Sequence, residues 1–240
     1  MHKKINFLHL KIIAIVAMTI DHFAWLFIET GTFEGQLLHF IGRITAPMMC
    51  FLLVEGYFHS KDIKVYAIRL FGFAVISQLP FVAMFEGWDV ILSHPEILFY
   101  KFNILFNLLL GLLSLIVWHA RLSLAIKIVL TTLFLLLSIE MDWGVFITGF
   151  VLVLAYFREN RNQQIIAYLI AAMAMLLLVD LGFIHALPTL VLQWMPIGIL
   201  TVPIFWWLCN YQFGDRFGGR YFFYLYYPVH MLVLSLFKLL

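Results

Sequence analysis

Residues 12–28 read IIAIVAMTIDHFAWLFI, an apolar run that is long enough to cross the hydrocarbon core of a bilayer as one helix. Two ionisable side chains, Asp21 and His22, stand side by side within this run. A charged side chain at the centre of a bilayer costs about 2.5–3.5 kcal/mol on insertion scales. A helix that served only as an anchor would have no use for this pair, so the run predicts a membrane span that also lines a polar site.

The composition of the whole chain indicates an integral membrane protein. Hydrophobic residues make up 64% and charged residues 12%, whereas soluble domains carry about 25% charged residues. We therefore predict a single all-α domain, residues 1–240, that forms a polytopic membrane bundle of about nine transmembrane helices. The apolar runs that predict these helices are residues 9–28, 37–57, 66–85, 98–118, 122–138, 143–157, 165–184, 188–209 and 221–239.

The loops between these runs alternate in charge. Lys and Arg fall in every second loop, and Asp and Glu fall in the intervening ones. By the positive-inside rule, this asymmetry predicts a cytoplasmic N-terminus and an outer C-terminus. The first run lacks a small-residue cleavage site, so we expect it to remain as a span rather than to be removed as a signal peptide. Cys50 and Cys209 have neither disulfide nor metal spacing, and we predict no metal site and no nucleic-acid partner.

Lys11 and His22 are predicted to share one face of the first helix. They are eleven residues apart, which at about 100° per residue makes three turns plus about 20°, so the imidazole lies about 16 Å deeper than the lysine. Arg43, about two turns inside the second helix, is expected in the same layer as His22. An Arg at this depth needs a carboxylate, carbonyls or a ligand. Asp21 is an available partner, and this pair locks the two helices together, takes part in a functional site, or does both.

Glu55, His59 and Arg69 mark the predicted cytoplasmic end of the second and third helices. One interpretation is a Glu55–Arg69 clamp on a helical hairpin. The other is a vestibule in which Arg69 and the lysines of the connecting loop meet a phosphorylated cofactor. Basic loops are expected on this side of the membrane in both cases, so the two interpretations stay open.

Further polar side chains fall within the later helices. Asn107 lies one turn after Asn103, and buried amides usually link helices. Asp142 precedes the sixth helix, where a carboxylate suits a helix N-terminus. His230 lies near mid-depth and either forms an interhelical hydrogen bond or lines a polar cavity. The residues predicted to line such a cavity are Gln78, Asn103, Asp142, Tyr227 and His230; the histidines left without a role, as lying at helix ends or in loops, are His2, His9, His39, His94, His119 and His185.

A histidine beside a carboxylate is typical of general-base catalysis, because imidazole titrates near neutral pH. Acyl transfer from a thioester to an amine or hydroxyl needs one such base and a group that stabilises the oxyanion. His22 is the candidate base, with Asp21 to orient it or balance its charge, and Arg43 is the candidate for the oxyanion. The sequence contains no Walker-type phosphate loop and no nucleophile elbow around a serine.

Six short blocks occur in order along the chain: MTIDH at 18–22, GRITAP at 42–47, EGYFHS at 55–60, ISQLP at 76–80, DWG at 142–144 and YPVH at 227–230. Together they resemble the TraX family of bacterial membrane proteins. Because the blocks run from the first predicted helix to the last, the resemblance covers nearly the whole chain. Two places depart from the family pattern. Residues 103–107, NILFN, resemble their counterpart only loosely, and Trp143 stands where Tyr is commoner.

This resemblance implies a multi-pass acetyltransferase of the bacterial cytoplasmic (inner) membrane, with acetyl-CoA as acyl donor. The namesake of the family is linked to N-acetylation of the F-type conjugative pilin, and the family is similar to larger multispan acyltransferases that O-acetylate sugars and lipids. Those enzymes carry a basic residue, ten intervening residues and a histidine in their first helix, which Lys11 and His22 match. The resemblance thus implies that His22 is catalytic, that CoA binds on the cytoplasmic side, and that the acceptor lies at or beyond the outer side. The acceptor classes that it implies are a pilin N-terminus, an envelope glycan and a lipid; the residues predicted to bind CoA are Lys11, Glu55, His59 and Arg69.

Two other functions are compatible with the sequence. A proton-coupled transporter would use Asp21, His22, Arg43 and His230 as a relay. Transporters often show paired halves or interrupted helices at matching positions, and neither is evident in the sequence. A structural or assembly factor for pili or the envelope is the third possibility.

Overall fold

The apolar runs of the chain form helices in the computed structural model, which describes residues 5–180, 194–212, 214 and 221–238. This part of the chain contains no β-strand, only two isolated β-bridges. The helices are α1 (Phe7–Phe27), α2 (Phe33–Gly42), α3 (Thr45–His59), α4 (Ile63–Phe85), α5 (Trp88–Ser93), a first 3-10 helix (Pro95–Phe99), α6 (Ile104–His119), α7 (Leu124–Ser138), α8 (Val145–Tyr156), α9 (Arg161–Asp180), a second 3-10 helix (Met195–Thr201), α10 (Val202–Leu208) and α11 (Phe222–Phe237).

Each of the nine predicted spans corresponds to an apolar helical segment of the described residues. Four of these segments are long and apolar enough to cross a membrane: Phe7–Phe27, Phe33–His59, Ile63–Phe85 and Arg161–Val179. Five are shorter: Ile104–His119, Leu124–Ser138, Val145–Tyr156, Met195–Leu208 and Phe222–Phe237. The prediction of an all-helical membrane protein is therefore confirmed.

Three of the predicted spans differ in detail from the structure. The span predicted at 98–118 begins as α-helix only at Ile104, because the residues before it form the first 3-10 helix and a short turn. The span predicted at 37–57 is two helices, α2 and α3, which meet at Arg43–Ile44. The described part of the span predicted at 188–209 is the second 3-10 helix followed by α10, and residues 188–193 lie outside the described residues.

Side-chain caps define where several helices begin. Asn6 forms a capping box with His9 at α1, so this histidine has a structural role at the helix start. The carboxylate of Asp62 accepts a hydrogen bond from the first turn of α4, and Ser123 does the same at α7. Asn103 caps α6, and its side chain accepts a hydrogen bond from the Leu105 N–H. These polar residues therefore satisfy backbone N–H groups that the first turn of a helix leaves without a partner.

The chain divides into two compact units. The first consists of Met1–Leu52 and Phe157–Tyr226, and the second of Leu53–Tyr156 and Tyr227–Leu240. The helices α1, α2, α9 and α10 belong to the first unit and α4 to α8 to the second, whereas α3 and α11 contribute residues to both. Each unit thus combines segments that are far apart in the sequence. The single domain over residues 1–240 stays a prediction.

An aromatic cluster forms part of the core of the first unit. The rings of Phe51 and Trp206 are stacked, with centroids 5.0 Å apart, and Tyr168 meets Trp206 edge-on at 4.6 Å. The Tyr168 hydroxyl donates to the carbonyl of Ile199 at 2.8 Å, so the second 3-10 helix is tied to α9. The second 3-10 helix packs on α2 as well.

Candidate functional site

Asp21 is the centre of a buried charge cluster between α1 and α2. Its carboxylate accepts a hydrogen bond from Nδ1 of His39 at 2.8 Å. It also accepts two from Nη2 of Arg43, at 3.1 Å to Oδ1 and 3.2 Å to Oδ2. The side chains of Asp21, His39 and Arg43 are 13%, 0% and 6% exposed. The predicted Asp21–Arg43 pair is therefore present, and it joins the first helix to the second.

The break between α2 and α3 places Arg43 in this cluster. Arg43 caps the C-terminus of α2 instead of lying inside a continuous helix, which corrects the prediction. The Ile44 N–H donates to the carbonyl of Ile41 at 3.2 Å, so the chain tightens into a 3-10-like turn at this point. Pro47 lies in the first turn of α3, where its missing N–H costs no intrahelical bond. The long apolar segment Phe33–His59 is thus interrupted at a buried guanidinium.

Two glycines allow backbones to approach closely around the break. A Cβ on Gly42 would lie 2.3 Å from both Cβ and Oδ1 of Asp21. A Cβ on Gly198, in the second 3-10 helix, would lie 2.1 Å from the backbone oxygen of Phe40. Real Cβ atoms do not come this close to other heavy atoms. α1 and the second 3-10 helix can therefore both approach α2 only because these positions carry no side chain.

His39 is the member of the cluster that sequence reasoning missed. The sequence analysis gives it no role, as a histidine at a helix end or in a loop; it lies in the last turn of α2, but it is fully buried and bonds to Asp21. Its ring packs on Trp25, with centroids 4.4 Å apart. A signal for it was present in the sequence, because His39 and Arg43 are four residues apart and such residues share one face of a helix.

His22 follows Asp21 on α1 and is itself buried, 9% exposed. Successive helical residues are rotated by about 100°, so the two side chains leave α1 in different directions. α1 is continuous from Phe7 to Phe27, which keeps Lys11 and His22 at the spacing predicted for one helix face. The Lys11 ammonium lies 5.5 Å from the centroid of the Phe223 ring.

In the second unit, Glu55 and His59 lie one turn apart at the end of α3. Glu55 is buried, and Nδ1 of His59 lies 2.8 Å from the backbone oxygen of Glu55 and 3.6 Å from its carboxylate. Arg69 lies in the second turn of α4 and is half-buried. The prediction that these three residues bind CoA stays a prediction.

Gln78 and Asn103 form the first of two buried amide clusters in the second unit. The Asn103 amide donates to Oε1 of Gln78 at 2.8 Å and to the carbonyl of Ala74 at 2.9 Å. The Gln78 amide in turn donates to the carbonyl of Leu98 at 3.0 Å and to that of Lys101. Gln78 thus ties α4 to the first 3-10 helix and to the start of α6. This contact satisfies backbone groups, as expected for an amide buried among helices.

Asn107 forms the second amide cluster. Its amide donates to the carbonyls of Asp142 and Gly144, at 2.8 and 2.7 Å, and so links α6 to the start of α8. The prediction that Asn107 links helices is correct. Tyr227 and His230 are both buried on α11, with ring centroids 5.8 Å apart. A polar cavity lined by these residues stays a prediction.

The predicted site residues therefore fall into two sets. Lys11, Asp21, His22 and Arg43 belong to the first unit, and the remaining predicted residues belong to the second. Within the part of the chain that the structure describes, no group of three His, Cys, Asp or Glu side chains is placed to hold a metal ion. Together with His39, the first set supplies an ion pair and two imidazoles, which are groups that acid–base chemistry uses.

Comparison with known proteins identifies the family of this chain. The sequence model of the family described as TraX protein matches residues 8–238. A probable fimbrial assembly protein, FimC of serogroup H1 from Dichelobacter nodosus, is 45% identical over 237 residues, which span 98% of this chain and 97% of that protein. No solved structure matches the chain. The resemblance of the six sequence blocks is thereby confirmed, and the chain belongs to the TraX family.

Proposed function

We propose that this membrane protein is an acetyltransferase, which moves an acetyl group from acetyl-CoA to an amine or hydroxyl at the membrane or its outer side. The observation that carries the proposal is the buried Asp21–Arg43 pair, which lies next to His22 on α1. A buried ion pair is weak evidence for stability alone, because desolvation offsets its attraction. A functional role explains why these charges are kept within a membrane span.

His22 acts as the general base in this proposal. The imidazole takes the proton from the acceptor as its nitrogen or oxygen forms a bond to the acetyl carbonyl carbon. The carbon–sulfur bond then breaks, and His22 returns the proton to the departing thiolate. Asp21 balances the positive charge that His22 carries in between, and Arg43 stabilises the negative charge on the carbonyl oxygen.

Acetyl-CoA, when bound, supplies the activated acetyl group as a thioester and carries phosphates that need positive charge nearby. Lys11 and Arg69 provide such charge and are both only half-buried. Glu55 fits a phosphate contact poorly, because its carboxylate is negative and buried beside His59. We therefore assign Glu55 to holding His59. Lys11 in the first unit and, separately, His59 and Arg69 in the second are the candidate phosphate contacts. The alternating loop charges support CoA on the cytoplasmic side of a bacterial inner membrane.

A fimbrial subunit is the first acceptor to test, because the 45% identical relative is named a probable fimbrial assembly protein. Envelope glycans and lipids are the next acceptors. The alternative is that the protein assists fimbrial assembly without acetylating the subunit. This role predicts that the protein binds the subunit and leaves the subunit's mass unchanged.

The test uses the purified protein in detergent with labelled acetyl-CoA and a fimbrial subunit, an envelope glycan or a lipid as acceptor. We expect label in one acceptor, and its loss in the variant His22→Ala. The matched control is His94→Ala, because His94 is exposed and lies between the spans. Unchanged turnover in His22→Ala would refute the assignment of His22 as the base. If the parent protein transfers label to none of the acceptors, the proposed enzymatic function is wrong.

Proton-coupled transport is the second candidate, and the interruption of the second span at Arg43 favours it. Broken helices in transporters place backbone groups and charges at a substrate site near the bilayer midplane. This function predicts solute flux into liposomes that depends on a pH gradient, with no effect of acetyl-CoA on the melting temperature.

A further inference from the structure

His39 is a fully buried imidazole in the first unit, and the proposed reaction gives it no role so far. Its Nδ1 lies 2.8 Å from Oδ1 of Asp21, and the ring is covered on one side by Trp25. Its Nε2 is also buried and has no hydrogen-bond partner among the described residues. An imidazole held by a carboxylate at one nitrogen is the arrangement that orients histidines in acid–base sites.

The two ring nitrogens of His39 differ in whether their surroundings allow them to bear a hydrogen. A carboxylate oxygen only accepts hydrogen bonds when ionised, so Nδ1 must bear the proton that joins it to Asp21. A second proton on Nε2 would create a buried cation whose N–H meets no acceptor in the described part of the chain. The contacts therefore favour a neutral ring with hydrogen on Nδ1 and a lone pair on Nε2.

This neutral form matters for the charge balance around His22. Among the described residues, the charged groups of this cluster are Asp21 from α1 and Arg43, which caps α2, and His22 follows Asp21 in the chain. The second 3-10 helix, which packs on α2, has the sequence MPIGILT and carries no titratable side chain. With His39 neutral, Asp21 and Arg43 cancel, and a proton taken by His22 is the only added charge. If His39 were protonated, the cluster would already carry a positive charge, and this charge would oppose the uptake of a proton by His22.

We infer that His39 is a positioning residue for the proposed acetyl transfer: its Nδ1–H holds the Asp21 carboxylate against Arg43 while the ring stays neutral. This inference rests on the proposed function for its catalytic consequence. Its structural part, the bond from Nδ1–H to Asp21, is testable without activity.

Matched variants separate the hydrogen bond from the bulk of the ring. His39→Asn keeps an N–H at the position of Nδ1, His39→Gln carries its N–H near the position of Nε2, and His39→Phe keeps only the ring volume. We expect turnover within about threefold of the parent for His39→Asn. For His39→Gln and His39→Phe, we expect a loss of about 10- to 100-fold, the range that follows from losing a hydrogen bond to a buried charge.

The split between kinetic constants distinguishes positioning from simple support of the fold. A positioning role lowers kcat and leaves the KM for acetyl-CoA nearly unchanged, because His39 acts through Asp21. A structural role would lower turnover in proportion to the loss of melting temperature in detergent, in all three variants alike. Equal activity of His39→Asn and His39→Gln, at equal melting temperature, would overturn the positioning role.

Nitrogen NMR of the protein with 15N-labelled histidine tests the bond itself. The His39 signals are those missing from His39→Asn, and we expect a protonated Nδ1 and an unprotonated Nε2 at pH 7, with Nδ1 shifted in Asp21→Asn. A proton on Nε2, or on both nitrogens, would overturn the inference even if the protein transfers acetyl groups. A parent protein that transfers no acetyl group would instead refute the proposed function, while the NMR result would still decide the bond to Asp21.

Discussion

The substitution Gly42→Ala tests directly whether close packing of α1 on α2 builds the charge cluster. The new Cβ would lie 2.3 Å from Cβ of Asp21, an atom fixed by the backbone, so α1 itself must move away. Overpacking of this kind costs about 1–3 kcal/mol, and losing a hydrogen bond from His39 or Arg43 to the carboxylate costs about 1.5–3 kcal/mol. The better helix propensity of Ala returns about 1 kcal/mol. We therefore expect a net loss of about 1.5–5 kcal/mol.

The assay is unfolding of the purified protein in mixed detergent micelles, followed by circular dichroism. Gly72→Ala is the matched control, because Gly72 lies inside α4 and a Cβ there would meet no atom within 4 Å. We expect this control to be neutral or slightly more stable than the parent. Equal stability of Gly42→Ala and Gly72→Ala would show that the close approach at Asp21 does not hold the two helices.

Three further predictions concern the charges and amides of the two units. His22→Ala should lower acetyl transfer by about 10²–10⁴-fold in the labelled acetyl-CoA assay, with the melting temperature kept within the range of His94→Ala. Asp21→Asn should destabilise the protein by about 3–5 kcal/mol in detergent unfolding, because it leaves the Arg43 guanidinium buried without its carboxylate. The double variant Asp21→Asn/Arg43→Met should recover part of that loss, and additive losses would argue against a coupled pair. Asn107→Leu should cost about 2–5 kcal/mol, because the carbonyls of two residues lose their amide donor, and an unchanged unfolding curve would contradict the helix-linking role.

The helices and one contact of the site were predictable from the sequence, for reasons that particular residues illustrate. The span at 12–28 is apolar enough to be helical wherever it packs, because a membrane offers its backbone no other partner. Asp21 and Arg43 could be paired in advance, since each is too costly to bury alone. Asn107 could be assigned to helix linkage for the same reason.

Two features, the break between α2 and α3 and the role of His39, could not be predicted from the sequence. A long apolar run shows that a segment is helical but not where the helix breaks, so the turn at Arg43–Ile44 was not predicted. Likewise, the spacing of four residues between His39 and Arg43 places both on one helix face, but it does not show whether that face is buried. The role of His39 depends on which residue of α1 lies opposite, and Gly42 decides that by allowing Asp21 to approach.

The amino-acid sequence by itself determined that this chain is a helical membrane protein, because hydropathy acts locally and adds up along each run. The tertiary structure decided the geometry of the polar contacts and added His39 to them. Hydrogen bonds of 2.8 to 3.2 Å, such as those that join Asp21 to His39 and Arg43, depend on the positions of two helices at once. No property of either helix taken separately specifies that distance.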